Sequence, residues 1–98
     1  MKAKTPAEAH ALTDIPNIGK EIAGDLRTLG FEAPAQLQGE DPYMMYDRLN
    51  AMTGIRHDPC LLDTFIAAVR FIDGEPPRPW RTYTPERKQE LATREARV

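Results

Sequence analysis

The sequence predicts an all-α protein, a compact bundle of about five short helices, on three observations. Pro opens and Gly closes one segment after another, which is the expected polarity of helices. Apolar residues recur at spacings of three and four. No segment joins strand-like alternation to turn residues at both ends. A chain of 98 residues, 41% of them hydrophobic, builds one modest core.

The elements follow in order. Thr5-Pro6 opens a first helix that ends near Leu12, with Glu8 completing a capping box on Thr5. A second helix starts near Gly19 and reaches Leu29, with Ile22, Ala23, Leu26 and Leu29 on one face. Gly30 closes it, and Phe31 is placed to fold back on Leu26 as a Schellman contact. Pro34 to Leu37 reads as a short helical turn closed by Gly39. Asp41-Pro42 caps and opens a helix through Met52, whose buried side carries Met45, Tyr46, Leu49 and Met52. Asp58-Pro59 opens the most apolar helix, running to about Ile72 with Leu62, Phe65, Ile66, Val69 and Ile72 inward. Met52 to His57 reads as a plain connection, with a second hairpin as the alternative.

After Gly74 the character changes. Glu75-Pro76-Pro77-Arg78-Pro79 has to run extended, because Pro lacks the donor and fixes φ. Trp80 then either folds back to plug the bundle or offers a partner or nucleotide-stacking surface. Thr84-Pro85 opens a C-terminal helix to about Ala96 with a thin apolar stripe of Leu91, Ala92 and Ala96. Such a helix is either mobile or packed on another copy. The expected division is a helical bundle over 1–74 and a Pro/Arg/Trp segment with its helix over 75–98, packing on the bundle or on a partner.

The most specific local signal is Ile15-Pro16-Asn17-Ile18-Gly19-Lys20, between the first two helical segments. Asn17 and Gly19 are residue types that tolerate a left-handed backbone. The positions Leu12, Ile15, Asn17, Ile18, Gly19, Ala23 and Leu26 match the spacing of the helix-hairpin-helix motif of DNA-binding proteins, with Asn17 in place of the first glycine. Such a turn aims backbone N–H groups outward at a helix start, which suits a phosphate. The candidate phosphate-binding residues are Asn17, Ile18, Gly19 and Lys20, with Arg27 as a supporting cation. In the competing reading the turn only lets two helices cross closely.

Charge does not favour binding DNA by bulk attraction. The net charge is −2, with 7 Lys+Arg against 12 Asp+Glu over residues 1–77 and 6 against 3 over residues 78–98. Attraction to phosphate must come from Lys2, Lys4, Lys20, Arg27 and the arginines of the C-terminal segment.

The single Cys60 excludes an internal disulfide and fits a reducing compartment. No apolar run reaches transmembrane length, and a cytoplasmic protein without membrane association is expected. Cys60, in a helix's first turn, reads as an ordinary buried thiol, Asp58 as an N-cap, and Asp63 as a solvated or salt-bridged position. His57 and Cys60 fall short of a metal set, so neither metal nor cofactor is expected. No catalytic constellation is present, and an enzyme is not expected.

A wider resemblance rests on Asp25-Leu26-Arg27-Thr28-Leu29-Gly30-Phe31, Gly39-Glu40-Asp41-Pro42, Tyr46-Asp47-Arg48-Leu49 and His57-Asp58-Pro59-Cys60-Leu61-Leu62-Asp63-Thr64-Phe65. With the hairpin, these runs resemble the bacterial "pathogenicity locus" family, some of whose members are labelled mitomycin resistance protein. The first half is also similar to the C-terminal domain of the competence regulator TfoX. The resemblance covers about residues 9 to 83. It implies a helix-hairpin-helix fold and association with DNA. The expected function is non-sequence-specific DNA binding, linked to DNA damage response or drug resistance. The alternative is a protein-interaction adaptor or homodimer using Trp80 and the C-terminal helix.

Overall fold

A computed structural model describes residues 2–96. The described chain is all-helical, with four α-helices and four single 3-10 turns. The helices are α1 (Lys20–Thr28), α2 (Pro42–Thr53), α3 (Pro59–Ile72) and α4 (Thr84–Ala96). The 3-10 turns lie at Pro6–Glu8, Leu12–Asp14, Pro34–Leu37 and Trp80–Tyr83.

The expected first helix does not form. Pro6–Glu8 and Leu12–Asp14 are separate turns, and the chain between them is extended at Ala9 (φ −87°, ψ 110°). Local side chains take the amides that a helix would use. Glu8 Oε1 accepts the Thr5 N–H (3.1 Å), and Asp14 Oδ2 accepts those of His10 and Ala11 (both 2.9 Å). Only half of the expected capping box exists, since the Glu8 N–H bonds the Thr5 carbonyl.

The other helix ends follow local chemistry. Asp41 Oδ1 accepts the Tyr43 N–H (2.9 Å) to start α2, and Asp58 Oδ1 accepts the Cys60 N–H (2.8 Å) to start α3. After α1, Gly30 takes φ +99°, its N–H bonds the Arg27 carbonyl (2.9 Å), and Phe31 N–H bonds the Leu26 carbonyl (2.9 Å). That pair of bonds is a Schellman motif, repeated after α3 at Gly74 and Glu75.

α3 is the axis of the molecule. Ten of its residues are buried, and α2, α4 and the turns at Pro34–Leu37 and Trp80–Tyr83 pack against it. Leu12, Ile15, Ile18, Leu26, Leu37, Leu49 and Met45 close the core from the other elements. Met52 is a correction: it is 57% exposed, because α2 turns that side to solvent beyond Leu49.

The C-terminal segment packs on this bundle. Tyr83 is buried, Trp80 and Leu91 are half-buried against the core, and ion pairs add to this apolar packing. Asp63, expected to be solvated or salt-bridged, is fully buried and salt-bridged. It accepts from Arg87 Nε (2.8 Å) and from the Thr84 hydroxyl (2.6 Å). Arg70 of α3 pairs with Glu86, and Arg94 lies 4.3 Å from the Tyr43 ring centre.

Candidate nucleic-acid interface and an adjoining groove

The turn that leads into α1 is built from its two isoleucines outward. Ile15 and Ile18 are fully buried and anchor the turn to the core. The Ile18 N–H closes the turn on the Ile15 carbonyl (3.1 Å). Between them Asn17 takes φ +74°, the one left-handed non-glycine residue among those described. Gly19 is not left-handed: at φ −96° and ψ −172° it is the extended N-cap of α1. Lys2 crosses one side of the turn, where its ammonium donates to the carbonyls of Thr13 (2.7 Å) and Ile18.

The candidate phosphate residues divide into two sets. The Asn17 side chain is engaged within the molecule: Nδ2 donates to the Arg78 carbonyl (2.8 Å), and Oδ1 accepts the Trp80 N–H (3.3 Å). Ile18 is core. Gly19, Lys20 and Arg27 are exposed. Unlike α2 and α3, α1 starts with no side chain bonded to its first amides. Lys20, Gly24 and Arg27 are spaced by four and three, and so share one face of α1. Between the two cations Gly24 leaves open space: a Cβ there meets nothing within 4 Å.

The neighbouring stripe of α1 has the opposite charge. Glu21 and Asp25, one turn apart, face an open groove of about 540 Å³ between α1 and the start of α3. Asp58, His57, Cys60, Leu61, Ile22 and Trp80 complete its walls. Burial pushes the Asp25 carboxyl above its usual range, and Glu21 adds to the shift while His57 opposes it. Cys60 is exposed, not buried. Its thiol is pushed up, first by its hydrogen bond to the Asp58 carboxylate and further by the negative charges of Asp58 and Asp63, so it resists forming the nucleophilic thiolate. The His57 ring Nδ1 lies 2.7 Å from Asn50 Oδ1. Among the described residues no group of three or more His, Cys, Asp or Glu is placed to hold a metal ion.

A family model described as "Pathogenicity locus" matches residues 5–89, from the Glu8-capped turn into α4. The chain belongs to the pathogenicity locus family. It is also 44% identical over 88 residues to a protein of Streptomyces lavendulae named "Mitomycin resistance protein McrB", covering 90% of this chain and 84% of that one. No solved structure matches. In this member of the pathogenicity locus family, sequence reasoning missed the Asn17 clasp and the groove. Their partners lie 61 and 63 residues apart in the clasp, and the groove collects three separate segments. The one local signal was Asn in a glycine position.

Proposed function

We propose that this protein is a non-sequence-specific DNA-binding module that docks a backbone phosphate on the amino end of α1, in the manner of a helix-hairpin-helix. The observation that carries the reading is the bare, exposed start of α1. Its first amides have no side-chain cap, while Lys20 and Arg27 flank a flat strip at Gly24. Unpaired N–H groups and the positive helix end favour an anion there. Contacts of this kind position a protein on the backbone without reading bases. The binding residues reduce to the Gly19 and Lys20 amides, the Lys20 ammonium and Arg27, with Asn17 and Ile18 shaping the turn from behind.

The role is one of binding rather than catalysis, in the cytoplasm. Among the described residues no helix is long and apolar enough to cross a membrane. The name of the Streptomyces relative agrees with a link to drug resistance. The test is fluorescence anisotropy of labelled duplex, single-stranded and branched DNA at low salt, with Lys20→Glu beside the parent. Binding that weakens with salt and with that substitution is the expected result. No binding to any DNA by a folded protein would overturn the reading.

The second reading is a protein-interaction adaptor or homodimer using Trp80 and α4. Its support is exposed apolar surface near α4: Ile55, 61% exposed, lines a shallow groove together with Leu91 of α4. Light scattering after size exclusion separates it: a monomer at all concentrations removes the homodimer.

A further inference from the structure

We propose that the groove between α1 and the start of α3 binds a small planar organic cation, such as a protonated aromatic amine, against Trp80 and between the carboxylates of Glu21, Asp25 and Asp58. The inference is independent of DNA binding, since neither Lys20 nor Arg27 lines this groove.

Size, charge and surface each narrow the ligand. The groove holds about 540 Å³, within the roughly 300–1,000 Å³ of small-molecule sites. Its lining includes three carboxylates and neither Lys nor Arg. None of the three joins a salt bridge among the described residues. Asp58 serves as the α3 cap, Glu21 and Asp25 join no ion pair, and the one basic side chain on the lining is His57, which acts on Asp25 against the effect of its burial. These two stand one helical turn apart, an arrangement of like charges that destabilises the free helix. Partial burial of Asp25 sharpens that repulsion, and a bound cation relieves it. Three carboxylates against one imidazole disfavour an anion, and a neutral ligand would leave the carboxylates uncompensated.

The apolar part of the surface comes from Ile22, Leu61 and Trp80. An indole wall favours a flat aromatic cation through stacking and cation–π attraction. The Trp80 backbone is held at the groove by the bond from its main-chain N–H to Asn17 Oδ1 (3.3 Å). The side chain that replaces the hairpin's first glycine is therefore a positioning residue for this wall.

Trp80 is the sole tryptophan, so its emission reports on the groove directly. The probes are proflavine, a planar cation near neutral pH, and acridine, its neutral counterpart. Proflavine should quench Trp80 saturably, with one site by calorimetry, and acridine should bind at least roughly fivefold more weakly. A Glu21→Gln, Asp25→Asn double variant should lose a similar factor with unchanged circular dichroism, since both residues are on the surface of α1. Equal affinity for the two probes, undiminished binding by the double variant, or no saturable quenching at millimolar proflavine overturns the proposal.

Discussion

Asp25 holds its charge where partial burial resists it, and the sign of that effect makes a prediction. Its carboxyl titrates above the usual range in the folded chain, so the folded state binds the proton more readily than the unfolded state. Ionised Asp25 therefore weakens the fold above its folded pKa, and the penalty fades as pH falls toward the unfolded value of about 3.9. Asp25→Asn should raise Tm at pH near 7, and this advantage should vanish in strong acid. Asp14 and Asp58 behave oppositely. Backbone N–H groups hold both carboxyls below their usual range, so their stabilisation is complete above about pH 4 and is lost in stronger acid. Asn17→Gly tests the clasp without backbone strain, because glycine accepts φ +74° freely. Two hydrogen bonds contribute about 0.5–1.5 kcal/mol each. The variant should lose at most a few kcal/mol while Trp80 emission shifts to the red. Unshifted emission would show that the indole does not depend on Asn17.

Between elements, the buried pair of Asp63 and Arg87 fastens α4 to α3. Asp63 is fully buried, the Arg87 side chain is 12% exposed, and the Thr84 hydroxyl completes the carboxylate's shell. Arg87→Ala would leave a buried charge with one hydroxyl partner, at a cost of about 3–5 kcal/mol in urea unfolding. Replacing both members, Asp63→Leu with Arg87→Met, should cost far less, because no charge is stranded. A single variant as stable as the parent would mean that water reaches Asp63 freely. This link was only half legible in the sequence, since Asp63 and Arg87 lie 24 residues apart. What was legible is local: Asp41 and Asp58 as caps, Gly30 and Gly74 as helix ends, and the apolar periodicity of α3. The first helix was misread for an equally local reason. Glu8 and Asp14 hold nearby amides, and propensity counting does not see that competition. The exposed start of α1 could be read from the Gly19 cap position, but the groove beside it needed Trp80 returned from far along the chain.

At the scale of the whole molecule, charge decides how DNA binding should respond to salt. Part of the basic C-terminal segment is tied down by carboxylates. Arg87 is bound to Asp63, Arg94 to Glu90 and Asp41, and Arg78 to Glu75. Arg81 and Lys88 of that segment stay exposed and outside these ion pairs, while Lys20 and Arg27 are the cations that flank the bare start of α1. Two displaced counterions on duplex DNA give a slope of log K against log salt of about −2, from roughly −0.9 per neutralised phosphate. Lys20→Ala should reduce that slope by about one unit and weaken binding uniformly across sequences. Arg94→Ala should leave it unchanged, since that guanidinium faces Tyr43 and Asp41. Anisotropy titrations over a series of salt concentrations measure all three. A steep slope near −6 for the parent would bring the C-terminal cations, Arg81 and Lys88 first, onto DNA, and would extend the interface from α1 to the C-terminal segment.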